Sequence, residues 1–185
     1  MRIIGGSARG LHLTPVGIGD AQAHLRPTSD RVRESIFNLL INGGYGNPLR
    51  DARVLDVFAG TGALGLEALS RGAASATFLE NGAAATALLK RNIALMRAEG
   101  ACEILRRDAT KPSLNPGAAF DLIFLDPPYG KAMGEVALTA LTPWLAPEAL
   151  VIWEESTKPI PPAGFELLDQ RKYGDTLVTL LKAPA

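Results

Sequence analysis

The sequence predicts an α/β protein with a seven-stranded, mainly parallel sheet, a terminal antiparallel hairpin and a small β-hairpin extension at the N-terminus. The principal observation is that short apolar segments typical of buried strands alternate with longer segments typical of helices. A second is that a short turn joins the last two strand segments, which favours an antiparallel pair. The 185 residues, 47% of them hydrophobic, suffice for one domain with a substantial core.

Each element follows from local periodicity and from end signals. Residues 2–4 and 11–13 flank a glycine-containing turn and predict the N-terminal hairpin. A helix is predicted over residues 30–42, because Thr28 or Ser29 can cap its start and two glycines follow its end. Further helices are predicted over residues 63–70, 83–99 and 134–145. The strands are predicted over residues 54–58, 76–79, 103–106, 120–125, 150–153, 165–168 and 177–181, with the last turn near Gly174.

The most informative segment is Asp126-Pro127-Pro128-Tyr129, which follows an apolar strand ending at Leu125. Its two prolines fix two φ angles and remove two backbone donors, so the loop is stiff. A carboxylate and a carbonyl of this loop can accept hydrogen bonds from the two N–H groups of a planar amine while the tyrosine ring stacks on its face. An exocyclic amine of a nucleic-acid base is such a group. The alternative is an ordinary turn with an incidental acid; chemistry is favoured provided that a methyl-donor site exists elsewhere.

A glycine-rich loop is a candidate for that second site. Gly60, Gly62 and Gly65 form G-x-G-x-x-G between a predicted strand and a predicted helix. Glycines at these positions permit a tight turn and let a ligand approach the backbone and the helix N-terminus. The motif alone is a weak signal, because dinucleotide-binding enzymes share it.

Acidic residues follow three successive strands of the predicted sheet. Glu80 lies 20 residues after the first glycine, where a ribose-binding acid is expected, and Asp108 and Asp126 follow the next two strands. Ligands of open α/β sheets bind at this carboxyl edge. Each acid could instead cap a helix or form a turn, and for Asp108 alone the two interpretations are evenly balanced. Three acids at one edge favour a binding site.

The charge distribution, the cysteine count and the targeting patterns indicate which partners and which compartment to expect. The 19 basic and 19 acidic residues balance, but residues 1–33 hold five arginines against two aspartates, a net charge of +3. We therefore expect residues 1–25 to form a substrate-contacting arm and residues 26–185 the main domain. Cys102 is the only cysteine, so neither a disulfide within the chain nor a zinc cluster is expected, and no metal is predicted. With no signal-peptide pattern and no membrane-span pattern, a cytoplasmic protein without membrane contact is expected.

Four blocks of the sequence resemble a known family. They are residues 2–10 (RIIGGSARG), 26–38 (RPTSDRVRESIFN), 56–72 (DVFAGTGALGLEALSRG) and 126–129 (DPPY). The pattern is similar to that of the bacterial S-adenosylmethionine-dependent N2-methyltransferases that modify guanine 966 of 16S ribosomal RNA. The resemblance implies a Rossmann-like class I methyltransferase fold, S-adenosyl-L-methionine as cofactor, 16S rRNA or the small ribosomal subunit as partner, and a monomer.

The resemblance also implies roles for individual residues. Asp126, Pro127 and Tyr129 would bind and stack on the target base. The cofactor would contact Asp56, Phe58, Ala59, Gly60, Thr61, Gly62, Glu80, Asn81, Asp108, Ala109 and Asp126, with Glu80 at the ribose and Asp108 and Ala109 at the adenine. RNA would contact Arg2, Arg9, Arg26, Thr28, Arg31 and Arg33.

Three other functions are compatible with parts of the pattern. An adenine-N6 methyltransferase acting on DNA or RNA would carry the same Asp-Pro-Pro-Tyr loop. A nicotinamide-dependent dehydrogenase would use the glycine loop, although no hydride-transfer constellation accompanies it. A ribosome-assembly binding module without activity would not need the intact loop at residues 126–129.

Overall fold

The computed structural model describes residues 1–14, 29–115 and 117–185. Its α-helices are α1 (Asp30–Asn42), α2 (Ala63–Ser70), α3 (Ala83–Met96) and α4 (Met133–Leu141). Its strands are β1 (Arg53–Val57), β2 (Ser75–Leu79), β3 (Cys102–Leu105), β4 (Phe120–Leu125), β5 (Leu145–Glu155), β6 (Glu166–Tyr173) and β7 (Thr176–Lys182). Short 3₁₀ turns cover Glu99–Ala101 and Thr142–Trp144. No helix in these three ranges is long and apolar enough to cross a bilayer.

The seven strands form one sheet in the order β3-β2-β1-β4-β5-β7-β6. Neighbours from β3 to β5 are parallel, and β7 pairs antiparallel with both β5 and β6. The predicted fold class is thereby confirmed. After β3 the chain returns to the centre of the sheet, where β4 pairs with the free side of β1. A crevice therefore opens outside the carboxyl ends of β1 and β4, where open α/β sheets bind ligands.

The sheet is covered on both faces, as its parallel strands require. One cluster of buried residues joins α1, α2 and α3 to the sheet, including Phe37, Leu66, Leu89, Val54 and Phe124. A second cluster joins α4 to the opposite face, including Leu138, Leu141, Leu55, Ile123 and Val151. Neighbouring positions of β1 and β4 thus contribute to opposite clusters, which follows from the alternation of side chains along a strand.

Two helices end earlier than their periodicity predicts. Helix α3 stops at Met96 because Arg97 adopts a left-handed conformation, with φ of 54°, and its N–H bonds to the carbonyl of Ala94. Helix α4 stops at Leu141, two residues before Pro143, which has no N–H to continue the helix. The chain enters β5 directly after the 3₁₀ turn at Thr142–Trp144, so this strand is longer than predicted.

Residues 1–14, called here the N-terminal arm, lie against α2. The predicted hairpin is reduced to a single antiparallel bridge between Arg2 and His12. Backbone amides of Ile4 and Gly5 donate to the Glu67 carboxylate of α2 at 2.7 and 2.8 Å. The amide of Ala8 donates to the Ser70 hydroxyl at 2.9 Å. The arm is therefore fastened to the helix that follows the glycine loop. The division into an arm and a main domain at residue 25 stays a prediction, because residues 15–28 lie outside the described ranges.

Candidate active site

Three carboxylates meet at the carboxyl edge of the sheet. Burial raises the pKa of Asp56 well above its usual value, while a hydrogen bond from the Gly65 amide lowers it and the negative charges of Asp126 and Glu80 raise it further. The Gly65 amide donates to Asp56 Oδ2 at 2.9 Å. Mutual repulsion of this kind requires the three acids to be near one another. The structure thus brings together carboxyl groups from β1, β2 and the end of β4.

The glycine loop between β1 and α2 has a backbone conformation in which residues other than glycine would be strained. Gly60 and Gly62 have φ of 56° and 78°, in the left-handed region. A Cβ on Gly62 would lie 2.3 Å from Leu89 Cδ1, and one on Gly65 would lie 2.5 Å from Phe78 Cε1. Glycine is therefore required at residue 62 for both conformation and space, and at residue 65 for the close packing of α2 on β2.

Glu80 connects the glycine loop to the segment that precedes α3. Its Oε2 accepts the Gly60 amide at 2.9 Å, and its Oε1 accepts the Gly82 amide at 2.6 Å. The side chain is half-buried, so part of it faces solvent at the sheet edge. The carboxylate predicted to bind a ribose thus also determines the conformation of the loop beside it. Asn81, the next residue, is exposed at the same edge.

Asn92 of α3 is a residue of this region that the sequence analysis missed. Its side chain is fully buried. Its Nδ2 donates to the carbonyl of Thr61 in the glycine loop at 2.9 Å, and its Oδ1 accepts the amide of Thr14 at 2.7 Å. One amide group therefore joins the arm to the glycine loop. The available signal was an asparagine placed in helical register with Leu89 and Ile93 on the buried face of α3.

Asp108 lies after β3 with the contacts of a turn former. Its Oδ1 accepts both the amide and the hydroxyl of Thr110, at 2.8 and 2.7 Å. These hydrogen bonds lower the pKa of Asp108, so the group is ionised at neutral pH. The side chain is exposed and Ala109 is buried. An exposed carboxylate remains available to a ligand even though the turn explains its local bonds.

The loop over residues 126–129 is fastened at both ends. At its start, the Asp126 amide donates to the carbonyl of Val57 at 3.3 Å. At its end, the Tyr129 hydroxyl lies 3.3 Å from the Thr176 hydroxyl, and the Gly130 amide donates to Glu155 Oε1 at 2.9 Å. The loop therefore spans β1, β5 and β7, beside the glycine loop that continues β1.

The predicted RNA contacts divide into three groups. Arg2, Arg9 and Arg31 have exposed side chains, so they remain candidates. Arg26 and Thr28 lie outside the described residues. The predicted RNA contact of Arg33 is wrong, because its side chain is fully buried and cannot reach RNA in this conformation.

The reason for the burial of Arg33 is its position on α1. Arg33 lies three and four residues before Ile36 and Phe37, so it falls on the apolar face of the helix. Its Nη2 donates to the Arg2 carbonyl at 2.8 Å and to the Asp30 carboxylate, and its Nη1 lies 4.0 Å from Glu67 Oε2. Arg33 thus joins α1, α2 and the arm.

Cys102 lies at the start of β3, where burial, and secondarily the charge of Glu99, raises its pKa to about 12. The group is therefore a thiol at neutral pH, as expected for a packing residue.

Comparison with known proteins assigns the chain to a family. The profile described as "Conserved hypothetical protein 95" matches residues 1–182. Ribosomal RNA small subunit methyltransferase D of Escherichia coli K12 is 38% identical over 190 residues, covering 100% of this chain and 91% of the relative. The protein of the same name from Haemophilus influenzae is 38% identical over 183 residues, covering 94% and 89%.

The chain belongs to the family of ribosomal RNA small subunit methyltransferase D. The fold agrees with the assignment, since the solved structure of the Escherichia coli protein yhhF aligns with a TM-score of 0.83 and 37% identity, covering 100% of this chain and 98% of that one. The family resemblance drawn from the sequence and the class I methyltransferase fold are confirmed. The roles of individual site residues in this family member stay predictions.

Proposed function

We propose that this family member transfers a methyl group from S-adenosyl-L-methionine to the exocyclic N2 amine of a guanine in 16S ribosomal RNA of the small ribosomal subunit. The observation that carries the proposal is the fastened Asp126–Tyr129 loop directly beside an acid-lined glycine loop. One loop offers acceptors and a ring for a planar amine, and the other offers a backbone cradle for a cofactor.

The charge of the site fits S-adenosylmethionine better than a dinucleotide. A dinucleotide presents an anionic pyrophosphate to the glycine loop. Here the amides of Gly60 and Gly65, which could have met a pyrophosphate, already donate to the carboxylates of Glu80 and Asp56. S-adenosylmethionine instead carries an ammonium and a sulfonium, which these carboxylates attract. This arrangement argues against the nicotinamide-dependent alternative.

The cofactor contacts are assigned by position along the edge. Asp56 faces the ammonium of the methionine part, while Ala59, Gly60, Thr61 and Gly62 form the backbone surface beside it. Glu80 and Asn81 accept hydrogen bonds from the ribose hydroxyls. Phe58, Asp108 and Ala109 border the adenine. When bound, S-adenosylmethionine supplies a methyl group already activated by a sulfonium sulfur.

The chain's own residues then have three tasks. Asp126 and the Pro127 carbonyl would accept hydrogen bonds from the two N–H groups of the guanine amine, which would fix the orientation of its lone pair. Tyr129 stacks on the base removed from its RNA stack, which limits its motion. The Asp126 charge stabilises the positive charge that develops on nitrogen, so the amine need not lose a proton first.

Methylation of isolated subunits tests the proposal. Small ribosomal subunits from cells lacking this gene are incubated with the protein and methyl-labelled S-adenosylmethionine, and the 16S rRNA is digested to nucleosides. The expected product is labelled N2-methylguanosine. Labelled N6-methyladenosine would instead support the adenine-N6 alternative. Binding of S-adenosylhomocysteine without any labelled nucleoside would support a binding module.

A further inference from the structure

The downstream end of the Asp126–Tyr129 loop is fastened by residues that the proposed chemistry does not use. Glu155 ends β5, and its carboxylate accepts the Gly130 amide at 2.9 Å through Oε1 and the Ser156 hydroxyl at 3.2 Å through Oε2. Thr176 begins β7, and its hydroxyl lies 3.3 Å from the Tyr129 hydroxyl. Two successive loop residues are thus bound from two different strands.

Burial makes the Glu155 contact specific. The residue is only 6% exposed, and a carboxylate is rarely buried unless hydrogen bonds compensate its desolvation. The Gly130 amide is one of the donors that supplies this compensation. Gly130 has φ of 71°, in the left-handed region where the chain leaves the loop. The hydrogen bond from Gly130 to the end of β5 therefore sets the path of the backbone after Tyr129.

Thr176 adds a restraint that the backbone cannot supply. The two prolines restrict the backbone of the loop, but a tyrosine ring still rotates about its two side-chain torsions. A hydrogen bond at the phenolic oxygen restricts rotation about the first torsion, which is the one that would carry the ring away from the loop. Thr176 pairs with Tyr173 beside the Gly174–Asp175 turn, so the terminal hairpin determines where this hydroxyl lies.

We propose that Glu155 and Thr176 are positioning residues for base recognition, acting through Gly130 and the Tyr129 hydroxyl. This inference rests on the proposed function, because it assumes that Tyr129 stacks on the target base. The antiparallel hairpin β6–β7 then has a task beyond closing the sheet: it holds the stacking ring at a set distance from Asp126 before RNA arrives. Pre-organisation of this kind affects turnover and RNA binding, not cofactor binding.

The Thr176 contact is tested by steady-state methylation of unmethylated small ribosomal subunits. Thr176→Val keeps the shape of the side chain and removes the hydroxyl, and it should lower kcat/KM for subunits about fivefold to tenfold, the value of one lost hydrogen bond. Thr176→Ser should restore the rate. Affinity for S-adenosylhomocysteine should stay within about twofold in both variants, because the contact lies outside the cofactor site.

Two further variants show whether Thr176 acts through Tyr129. Tyr129→Phe with Thr176→Val should be no slower than Tyr129→Phe alone, since both remove the same contact. The control is Thr179→Val, which removes a hydroxyl of the same strand that accepts from Gln170 at 2.9 Å, and its rate should equal that of the wild type. Full additivity of the double variant, or an equal loss in the control, would overturn the role of Thr176.

The Glu155 contact has a readout that needs no substrate. Amide hydrogen exchange at Gly130 should accelerate at least about tenfold in Glu155→Met, because a methionine side chain of similar length offers the Gly130 amide no carboxylate oxygen. Asp121→Asn is the matched control, as Asp121 accepts the Arg53 amide at 2.8 Å at the opposite end of β4. Exchange at Gly130 should not change in that variant.

These measurements separate the two proposals. A wild-type protein that methylates no RNA would overturn the proposed function, while unchanged Gly130 exchange in Glu155→Met would overturn the positioning role independently. An active wild type whose Thr176→Val and Glu155→Met variants also methylate subunits at the wild-type rate would overturn the positioning role and leave the proposed function in place.

Discussion

Individual acidic residues determine which ligand charge the site favours. Burial raises the pKa of Asp56 well above its usual value, and the nearby charges of Asp126 and Glu80 raise it further. Bringing acids together is unfavourable in the free protein, and a cationic ligand removes that cost. The acidic edge therefore favours a ligand with positive charge.

The raised pKa of Asp56 predicts a dependence of stability on pH. Because the folded pKa lies above the unfolded value of about 3.9, this residue's stabilising contribution is full below about pH 4 and is lost as pH rises through the folded pKa. Asp56→Asn lacks this loss, so its free energy of unfolding should improve relative to wild type as pH rises. Urea unfolding across a pH series measures the difference. Parallel curves for the two proteins would contradict the account.

Glu80 should affect cofactor affinity in two ways. Glu80→Gln keeps the size of the side chain but offers one acceptor where two amides, Gly60 and Gly82, now bond. We expect affinity for S-adenosylhomocysteine to fall by about 1–3 kcal/mol, from weaker ribose contacts and a less ordered loop. Calorimetry measures this affinity in the variant and in the wild type. An unchanged affinity would remove Glu80 from the cofactor site.

At the scale of elements, the arm and the glycine loop form one unit with α2 and α3. Glu67 fastens residues 4 and 5, Ser70 fastens Ala8, and Asn92 joins Thr14 to Thr61. The arm, which was expected from its charge to contact the substrate, is therefore also joined to the glycine loop. A change in the arm can reach the loop through buried hydrogen bonds.

Asn92 tests this connection. Asn92→Leu leaves the Thr61 carbonyl and the Thr14 amide without their partner, so the free energy of unfolding should fall by about 1–3 kcal/mol per group and cofactor affinity should fall with it. The control is Ile93→Val, which costs about 1 kcal/mol of core packing on the same helix and should leave cofactor affinity unchanged. Equal effects of both variants on affinity would show that Asn92 acts through stability alone.

At the scale of the whole molecule, patterns that depend on neighbours in sequence were predictable and contacts between distant segments were not. Helix α1 begins after Ser29, whose hydroxyl accepts the Val32 amide, and it ends as its cap signals predict. Arg33 was assigned to RNA through the family resemblance, whereas α1 turns it toward Glu67, 34 residues away. The contacts of Asn92 and Glu155 likewise join residues that only the sheet order brings together.

The exposed arginines of the arm supply a prediction about RNA binding. Arg2 and Arg9 are exposed within the basic segment, so they can contact phosphates. The double variant Arg2→Ala, Arg9→Ala should bind subunits more weakly, with a salt slope reduced by about 1 for each lost phosphate contact. Filter binding across a salt series measures this. An unaltered affinity and slope would move the RNA surface away from the arm.

The most direct measurement of the central claim is the nucleoside composition of 16S rRNA in living cells. Mass spectrometry would compare cells lacking the gene with the same cells carrying the wild-type gene or the Asp126→Ala variant. The account predicts that one N2-methylguanosine disappears without the gene, returns with the wild type and does not return with the variant, although the purified variant binds S-adenosylhomocysteine within a few fold of wild type. The same N2-methylguanosine content in all three strains would contradict it.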